Sequence, residues 1–148
     1  MTRINSAIPV QCLTDEHLLA EHREIKRLPY CLRRAVASGS VKRIPERFTL
    51  GRGHVLFFLN KMEFARRRYR DIYVECHLRH FHVEDYEKNF VTDIPDGYND
   101  DHTPTSEERR LLFERITERI IQSRKKSWHY HGEHITKEQA VNLLRFNY

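Results

Sequence analysis

Long apolar runs and closely spaced cysteines are both missing from this sequence of 148 residues. No stretch approaches the ~20 apolar residues that a helix needs to cross a bilayer, and the first residues lead into no signal-peptide core. The three cysteines, at positions 12, 31 and 76, do not have the spacing of zinc or redox motifs. We therefore expect a cytoplasmic protein with reduced, partly buried thiols, no membrane contact, no bound metal and no cofactor.

Histidines leave metal binding open as an alternative. Two groups of zinc-type side chains occur in the sequence: Cys76, His77, His80 and His82, and further on His129, His131 and His134. Neither group has a standard zinc spacing. The sequence also has no cluster of acidic residues that would suggest a metal-dependent nuclease.

Acidic residues are scarce outside one segment. The whole chain has 26 basic and 21 acidic residues, and the segment from Glu84 to Asp101 holds seven of the acidic residues but one basic residue. The remainder therefore has 25 basic and 14 acidic residues, a net charge of +11. Such a surface favours double-stranded DNA as a partner, because each neutralised phosphate releases a condensed counterion. A basic protein without a polyanionic partner is the alternative.

Strand-like alternation is scarce, and the apolar periodicity predicts an all-α fold. We expect a single compact domain of about four helices with long irregular connections. Helices are predicted at roughly 14–26, 31–37, 54–79 and 105–122, with a short last helix from Thr136. Thr14 is the expected N-cap of the first helix, and Thr105 with Glu108 forms a capping box. Residues 38–53 and the acidic segment are expected to be irregular surface connections.

The first predicted helix has two opposed sides, since each residue advances by about 100°. Its buried side is predicted to consist of Leu18, His22 and Ile25. On the other side lie His17, Arg23, Glu24 and Arg27. A carboxylate between two arginines and a histidine is an unusual group to present on a small helix. A salt-bridged solvent face is the alternative, and it is also the interpretation that we favour for the arginine run at 66–70.

Several segments resemble one enzyme family. They are MTRIN at 1–5, DEHLLAEHRE at 15–24, LGRGHVLFF at 50–58, KMEF at 61–64 and ECHL at 75–78, with a weaker return at 128–132. In these segments the chain resembles the pyrimidine-dimer DNA glycosylases of the phage endonuclease V type. The resemblance covers about two-thirds of the chain and is most specific in the first two segments.

The resemblance implies a DNA-repair activity. Members of the family lose the initiator methionine, remove one base of a cyclobutane pyrimidine dimer and then cleave the strand by β-elimination. Carried over to this chain, the nucleophile is the α-amine of Thr2 and the catalytic carboxylate is Glu24. The residues that the resemblance assigns to DNA binding are Arg3, His17, Arg23, Arg27, Arg115, Arg119, Trp128 and Tyr130. For the last two, simple packing in the core is an equal alternative.

The chemistry suits these groups independently. An α-amine has an ordinary pKa of ~7.7–8.0, so a useful fraction is neutral at physiological pH. A neutral amine can attack the sugar C1′ and form a Schiff base. A nearby carboxylate can stabilise the cationic sugar and then remove the C2′ proton. Expelling a nucleotide from bent DNA costs several kcal/mol, which arginine–phosphate contacts offset.

Some positions depart from the family pattern. His22 stands where the pattern has Tyr, His80 where it has Gly, and one extra residue lies between Asn5 and His17. We expect one domain over residues 1–148, with 134–148 as a C-terminal extension, acting as a monomer. The departures leave two alternatives open: the same mechanism on another damaged or modified base, and a non-catalytic DNA-binding protein. The intact Thr2 and Glu24 argue against the second.

Overall fold

Six α-helices and a two-stranded antiparallel sheet form the part of the chain that this computed structural model describes, residues 4–41 and 43–145. The helices are α1 (Asp15–Ile25), α2 (Leu28–Ala37), α3 (His54–Phe58), α4 (Met62–Leu78), α5 (Ser106–Gln122) and α6 (Lys137–Arg145). The strands are β1 (Trp128–Tyr130) and β2 (Glu133–Ile135), and two short 3-10 helices cover Val10–Cys12 and Glu87–Phe90. The fold is thus predominantly α and forms one compact domain, as the sequence predicts.

Side-chain caps begin three helices at the residues that the sequence predicts. Thr14 accepts a hydrogen bond from the first turn of α1 at 3.2 Å. Thr105 and Glu108 form a complete capping box at α5. Thr136 and Gln139 exchange the same pair of bonds at α6, at 3.1 and 2.8 Å. Each cap satisfies backbone N–H groups that a helix start would otherwise leave without partners.

The long helix predicted over 54–79 is wrong, because α3 and α4 are separated by a break at residues 59–61. At this point the acidic segment supplies other backbone partners. The Met62 N–H donates to the Tyr98 carbonyl at 3.1 Å, and the Asp100 N–H donates to the Asn60 carbonyl at 3.0 Å. Apolar residues continue on both sides of the break, so the periodicity gives no sign of it.

Two other boundaries differ from the prediction. The second helix begins at Leu28 instead of residue 31, because Pro29 occupies its first turn, where a missing N–H costs nothing. The acidic segment is not simply a surface loop. Its 3-10 helix places Phe90 completely inside the core.

A β-hairpin at 128–135 was also missed. Its strands have three residues each, with Trp128 opposite Ile135. Strands this short give no recognisable alternation of apolar and polar residues. The turn residues His131 and Gly132 both have positive φ, 51° and 80°, as a tight hairpin turn of type I′ requires. The aromatic segment is therefore the first strand of a hairpin.

Two buried arginines, Arg68 in α4 and Arg79 at its C-cap, fasten the N-terminal segment, residues 4–13, between α1 and α4. Arg68 donates to the Glu21 carboxylate at 2.7 and 3.0 Å and to the Ile8 carbonyl at 2.7 Å. The fully buried side chain of Arg79 donates to the Leu13 carbonyl at 2.7 Å and to the Val10 carbonyl at 3.2 Å. The interpretation of residues 66–70 as a solvated face is therefore wrong for Arg68, which is 6% exposed.

The other arginines of that run meet the acidic segment. Arg66 pairs with Glu87 at 3.0 Å, Arg70 pairs with Glu87 at 3.2 Å, and Arg67 pairs with Asp101. Two of the acidic side chains of this segment, Glu87 and Asp101, are thus paired with arginines of α4. None of the helices within the described ranges combines the length and apolarity needed to cross a bilayer.

Candidate active site

Helix α1 presents Glu24 on its outer side. Leu18, His22 and Ile25 are buried, as the helix rotation predicts. The Glu24 side chain is 25% exposed and lies 3.6 Å from the guanidinium of Arg27, which is 69% exposed. Arg23 is exposed beside them. The structure therefore places this carboxylate beside Arg27 on the outer side of α1, with Arg23 exposed as the preceding residue.

The N-terminal segment meets α1 one turn before Glu24. The Asn5 N–H donates to the Glu21 carboxylate at 3.1 Å, and the Ile4 N–H donates to Nε2 of His54 at 3.1 Å. The segment thus has one anchor on α1 and one on α3. Thr2 and Arg3, the predicted nucleophile and one predicted DNA-binding residue, lie outside the described residues.

His54 is buried, and its two ring nitrogens have distinct partners. Nδ1 lies 3.0 Å from the Thr49 carbonyl, which can only accept, so Nδ1 carries the proton and Nε2 accepts from Ile4. Burial lowers the pKa of His54, and the charge of Arg115 lowers it further, against the opposing effect of the hydrogen-bonded carbonyl. The neutral ring is the form that can accept the Ile4 bond.

Arg115 and Arg119 line an open groove of about 520 Å³ on α5. Leu50 and Gly51, just before α3, line it as well. The groove therefore borders the start of α3, where the His54 N–H donates to the Gly51 carbonyl at 3.2 Å. Two predicted DNA-binding arginines thus line a groove next to the helix start whose His54 holds Ile4.

His17, Trp128 and Tyr130 lie together at the hairpin. The rings of His17 and Trp128 stack with centroids 5.2 Å apart and planes at 17°. Trp128 is 6% exposed, and the Tyr130 hydroxyl donates to the Gln11 carbonyl at 2.8 Å. Trp128 therefore packs in the core, one of the two alternatives that the sequence left open. Contact of either aromatic side chain with DNA stays a prediction.

Carboxylates in the first turn of α1 hold the hairpin. Asp15 accepts from the two backbone N–H groups of the hairpin turn, at 3.0 and 2.9 Å. Glu16 lies 2.7 Å from Nδ1 of His129 and 3.0 Å from Nζ of Lys125. Burial raises the pKa of Glu16, but the hydrogen bonds from His129 and Lys125 outweigh it and lower the pKa to about 2. Glu16 is thus an anion at any physiological pH.

Sequence reasoning missed the residues that anchor the N-terminal segment. Glu21 follows Leu18 by three residues and precedes Ile25 by four, so its position on the buried side of α1 was a signal that could have been used. His54 carried no such signal, because a histidine at a helix start gives no indication of burial.

Within residues 4–41 and 43–145, no group of three or more His, Cys, Asp or Glu side chains is arranged to hold a metal ion.

The N-terminal part of the chain matches a known protein family. Residues 1–88 match the family model described as pyrimidine dimer DNA glycosylase. The matched range is more than half of the 148 residues and contains the N-terminal segment, Glu24, Glu21, His54 and α4. It ends before α5 and the hairpin begin.

Proposed function

Because the chain belongs to the pyrimidine dimer DNA glycosylase family, we propose that it excises one base of a cyclobutane pyrimidine dimer in duplex DNA and then cleaves the strand at the abasic site. The observation that carries the proposal is the match over residues 1–88, which include both Thr2 and Glu24. The partly exposed carboxylate of Glu24, which pairs with Arg27 and follows the exposed Arg23 in the chain, supports the same activity.

The proposed nucleophile is the α-amine of Thr2, after removal of Met1. Its ordinary pKa of ~7.7–8.0 leaves a neutral fraction for attack without help from a base. The anchors of Ile4 and Asn5 support this role. Asn5, the residue held on α1, follows Thr2 by three residues, which span at most ~11 Å, so an amine at Thr2 has the reach to act beside Glu24.

In the proposed reaction, the amine nitrogen bonds to the sugar C1′ while the glycosidic bond breaks and its electron pair leaves with the base. A nitrogen proton then moves to the ring oxygen O4′ as the C1′–O4′ bond breaks, which opens the sugar ring and gives a Schiff base. Glu24 faces the positive charge on the sugar and then takes the C2′ proton. The electron pair of that C–H bond forms the C2′–C3′ double bond and expels the 3′ phosphate. Water then hydrolyses the imine and restores the amine.

The proposed DNA contacts come from the arginines around this position. Arg23 and Arg27 flank Glu24, and Arg115 and Arg119 line the groove that borders the start of α3. The Glu24–Arg27 pair is long and exposed, and such pairs contribute ~1 kcal/mol or less. A DNA phosphate can therefore replace Glu24 as the partner of Arg27 with little loss of free energy. That exchange would leave the carboxylate facing the sugar.

The first test is Glu24→Gln on duplexes that carry a cis-syn dimer, an abasic site or neither. Gln keeps the shape but lacks the charge and basicity, so the variant should fold and bind DNA but lose base excision. Glu63→Gln is the matched control, because Glu63 also pairs with an arginine three residues later and is similarly exposed, at 32%. Excision at the normal rate by Glu24→Gln would return Glu24 to a salt-bridge role.

The second test identifies the nucleophile. Borohydride added during the reaction with abasic DNA should trap a protein–DNA adduct that peptide mapping places on Thr2. Residues added before Thr2 should abolish trapping and leave DNA binding intact. An adduct on a lysine would support the Schiff-base reaction but rule out Thr2 as the nucleophile. Excision of another modified base, without excision of the dimer, would favour the alternative substrate.

A further inference from the structure

We propose that His54 is the positioning residue for the N-terminal nucleophile, holding the backbone of Ile4 through Nε2 and so setting the distance between the Thr2 amine and Glu24. This inference rests on the proposed function, since it assumes that the amine reacts. It goes beyond that function because it assigns the orientation of the amine to a buried side chain that touches no substrate.

The first support is the rigidity of the His54 ring. Its Nδ1–H donates to the Thr49 carbonyl at 3.0 Å, and its Nε2 accepts from the Ile4 N–H at 3.1 Å. The rings of Phe48 and Phe58 pack edge-on against it, with centroids 5.4 and 5.3 Å away. The imidazole is therefore a fixed bridge from the start of α3 to the N-terminal segment.

The second support is that Ile4 and Asn5 are held by different elements. Asn5 donates to Glu21 on α1, and Glu21 is itself held by Arg68. One anchor keeps the segment on the molecule, and two consecutive anchors fix its direction. Removing the His54 bond should therefore leave the segment attached at Asn5 but free to swing the amine away from Glu24.

The third support is that the bridge depends on protonation. Protonated Nε2 would be a donor facing the Ile4 N–H donor, so the bond would be lost. Burial has the largest effect on the pKa of His54 and lowers it. Of the charged groups that face the ring, Arg115 on α5 lowers the pKa and Glu21 on α1 raises it. The pKa of His54 thus lies below its ordinary 6.5, and acid should release the segment.

This arrangement predicts a pH profile of unusual steepness. Protonation of the Thr2 amine alone should make the rate proportional to the hydroxide concentration as pH falls below ~7.7–8.0. Where His54 also protonates, two protons must be lost for reaction, so the logarithm of the rate should fall twice as steeply. A histidine with a merely structural role would not add that second proton to the rate.

The experiment measures single-turnover borohydride trapping on abasic duplex DNA against pH, for the wild type, His54→Phe and His54→Gln. Phe keeps the ring contacts but cannot accept from Ile4, and a small misplacement of a reacting group can cost about 10²-fold. We expect a loss of that order with DNA affinity unchanged. The Gln amide can both accept from Ile4 and donate to Thr49, so it should restore much of the rate without the steep acid limb.

His22→Phe is the matched control. His22 is also a buried histidine, it lies 3.0 Å from the Tyr69 hydroxyl, and burial lowers its pKa as well. Among the described residues, it makes none of the contacts that anchor the N-terminal segment. Its loss should lower thermal stability but keep the steep acid limb.

The outcomes separate the two proposals. A His54→Phe variant that traps at the wild-type rate, or a wild-type profile without the steeper limb, overturns the role of His54 and leaves the lyase function intact. A wild type that traps no adduct at any pH overturns the lyase function, and the role of His54 with it. If His54→Phe does not fold, the profiles of the wild type and His54→Gln still decide.

Discussion

The guanidinium of Arg79 lies over the ring of Tyr130, with Cζ 4.7 Å from the ring centroid. Arg79 is the C-cap of α4, so this cation–π contact ties the end of that helix to β1. The next residue ends the helix. His80 does so with a φ of 63°, a left-handed conformation that favours glycine.

We expect His80→Gly to stabilise the protein. His80 is exposed, and its conformation closes a Schellman motif in which the Phe81 N–H donates to the Cys76 carbonyl at 2.8 Å. Relief of the left-handed strain, less the added entropy of the unfolded chain, should raise the free energy of unfolding by about 1 kcal/mol in urea denaturation. His77→Gly, inside α4, should lower it by about as much. If His80→Gly lowers the free energy of unfolding as much as His77→Gly does, the strain at residue 80 is negligible.

Arg68→Met and Arg67→Met should differ sharply although the residues are neighbours. Arg68 is buried against Glu21, and removal of one partner from a buried pair costs about 3–5 kcal/mol because the other charge is left alone. Arg67 pairs with Asp101 in the open, where a pair contributes about 1 kcal/mol or less. Thermal or urea unfolding measures both. Similar losses would mean that Glu21 finds another partner when Arg68 is removed.

The ion pairs of Glu16 should make the hairpin sensitive to acid. The folded pKa of Glu16 is about 2 against an ordinary 4.5, so its contribution to stability is complete above pH 4.5 and is lost as pH falls towards 2. The stability gap between the wild type and Glu16→Gln should therefore be widest near neutral pH and close in acid. His129→Ala and the double variant complete a cycle. Strict additivity would indicate that the two side chains do not interact.

DNA binding should weaken with salt, and each phosphate contact adds about −0.9 to the slope of log affinity against log salt. Arg27→Ala and Arg119→Ala should each make that slope shallower. Arg110→Ala is the control, because Arg110 is bridged by Glu107 and Glu114 on the exposed side of α5. Fluorescence anisotropy over a salt series measures the slopes. A control that changes the slope as much as the test variants would point to bulk charge instead of specific contacts.

Local features of the fold could be predicted from the sequence because they depend on neighbouring residues. Thr14, Thr105 and Thr136 cap their helices through groups three residues away. The break between α3 and α4 could not be predicted, because its backbone partners, Tyr98 and Asp100, come from the acidic segment nearly 40 residues later. The hairpin escaped prediction because three-residue strands show almost no alternation.

The same distinction holds for the site. The opposite placement of Glu24 and His22 follows from helix rotation alone, and the structure has it as predicted. The anchoring of Ile4 by His54 joins residues 50 positions apart, so no local pattern specifies it. The family resemblance identified His54 as part of a motif but gave it no task.

The bonds from α1 to the hairpin set the order in which the protein can be completed during synthesis. The hydrogen bond to Asp15 can form only after Gly132, which lies 117 positions later in the chain, has been synthesised. At about 5–20 residues per second, the ribosome needs several seconds to make that stretch. The first turn of the helix that carries Glu24 is thus among the first parts synthesised and among the last to gain all of its hydrogen-bond partners. A nascent or prematurely ended chain that lacks the hairpin could still form the Arg68–Glu21 pair with α4, but Asp15 and Glu16 would be without their partners in the hairpin.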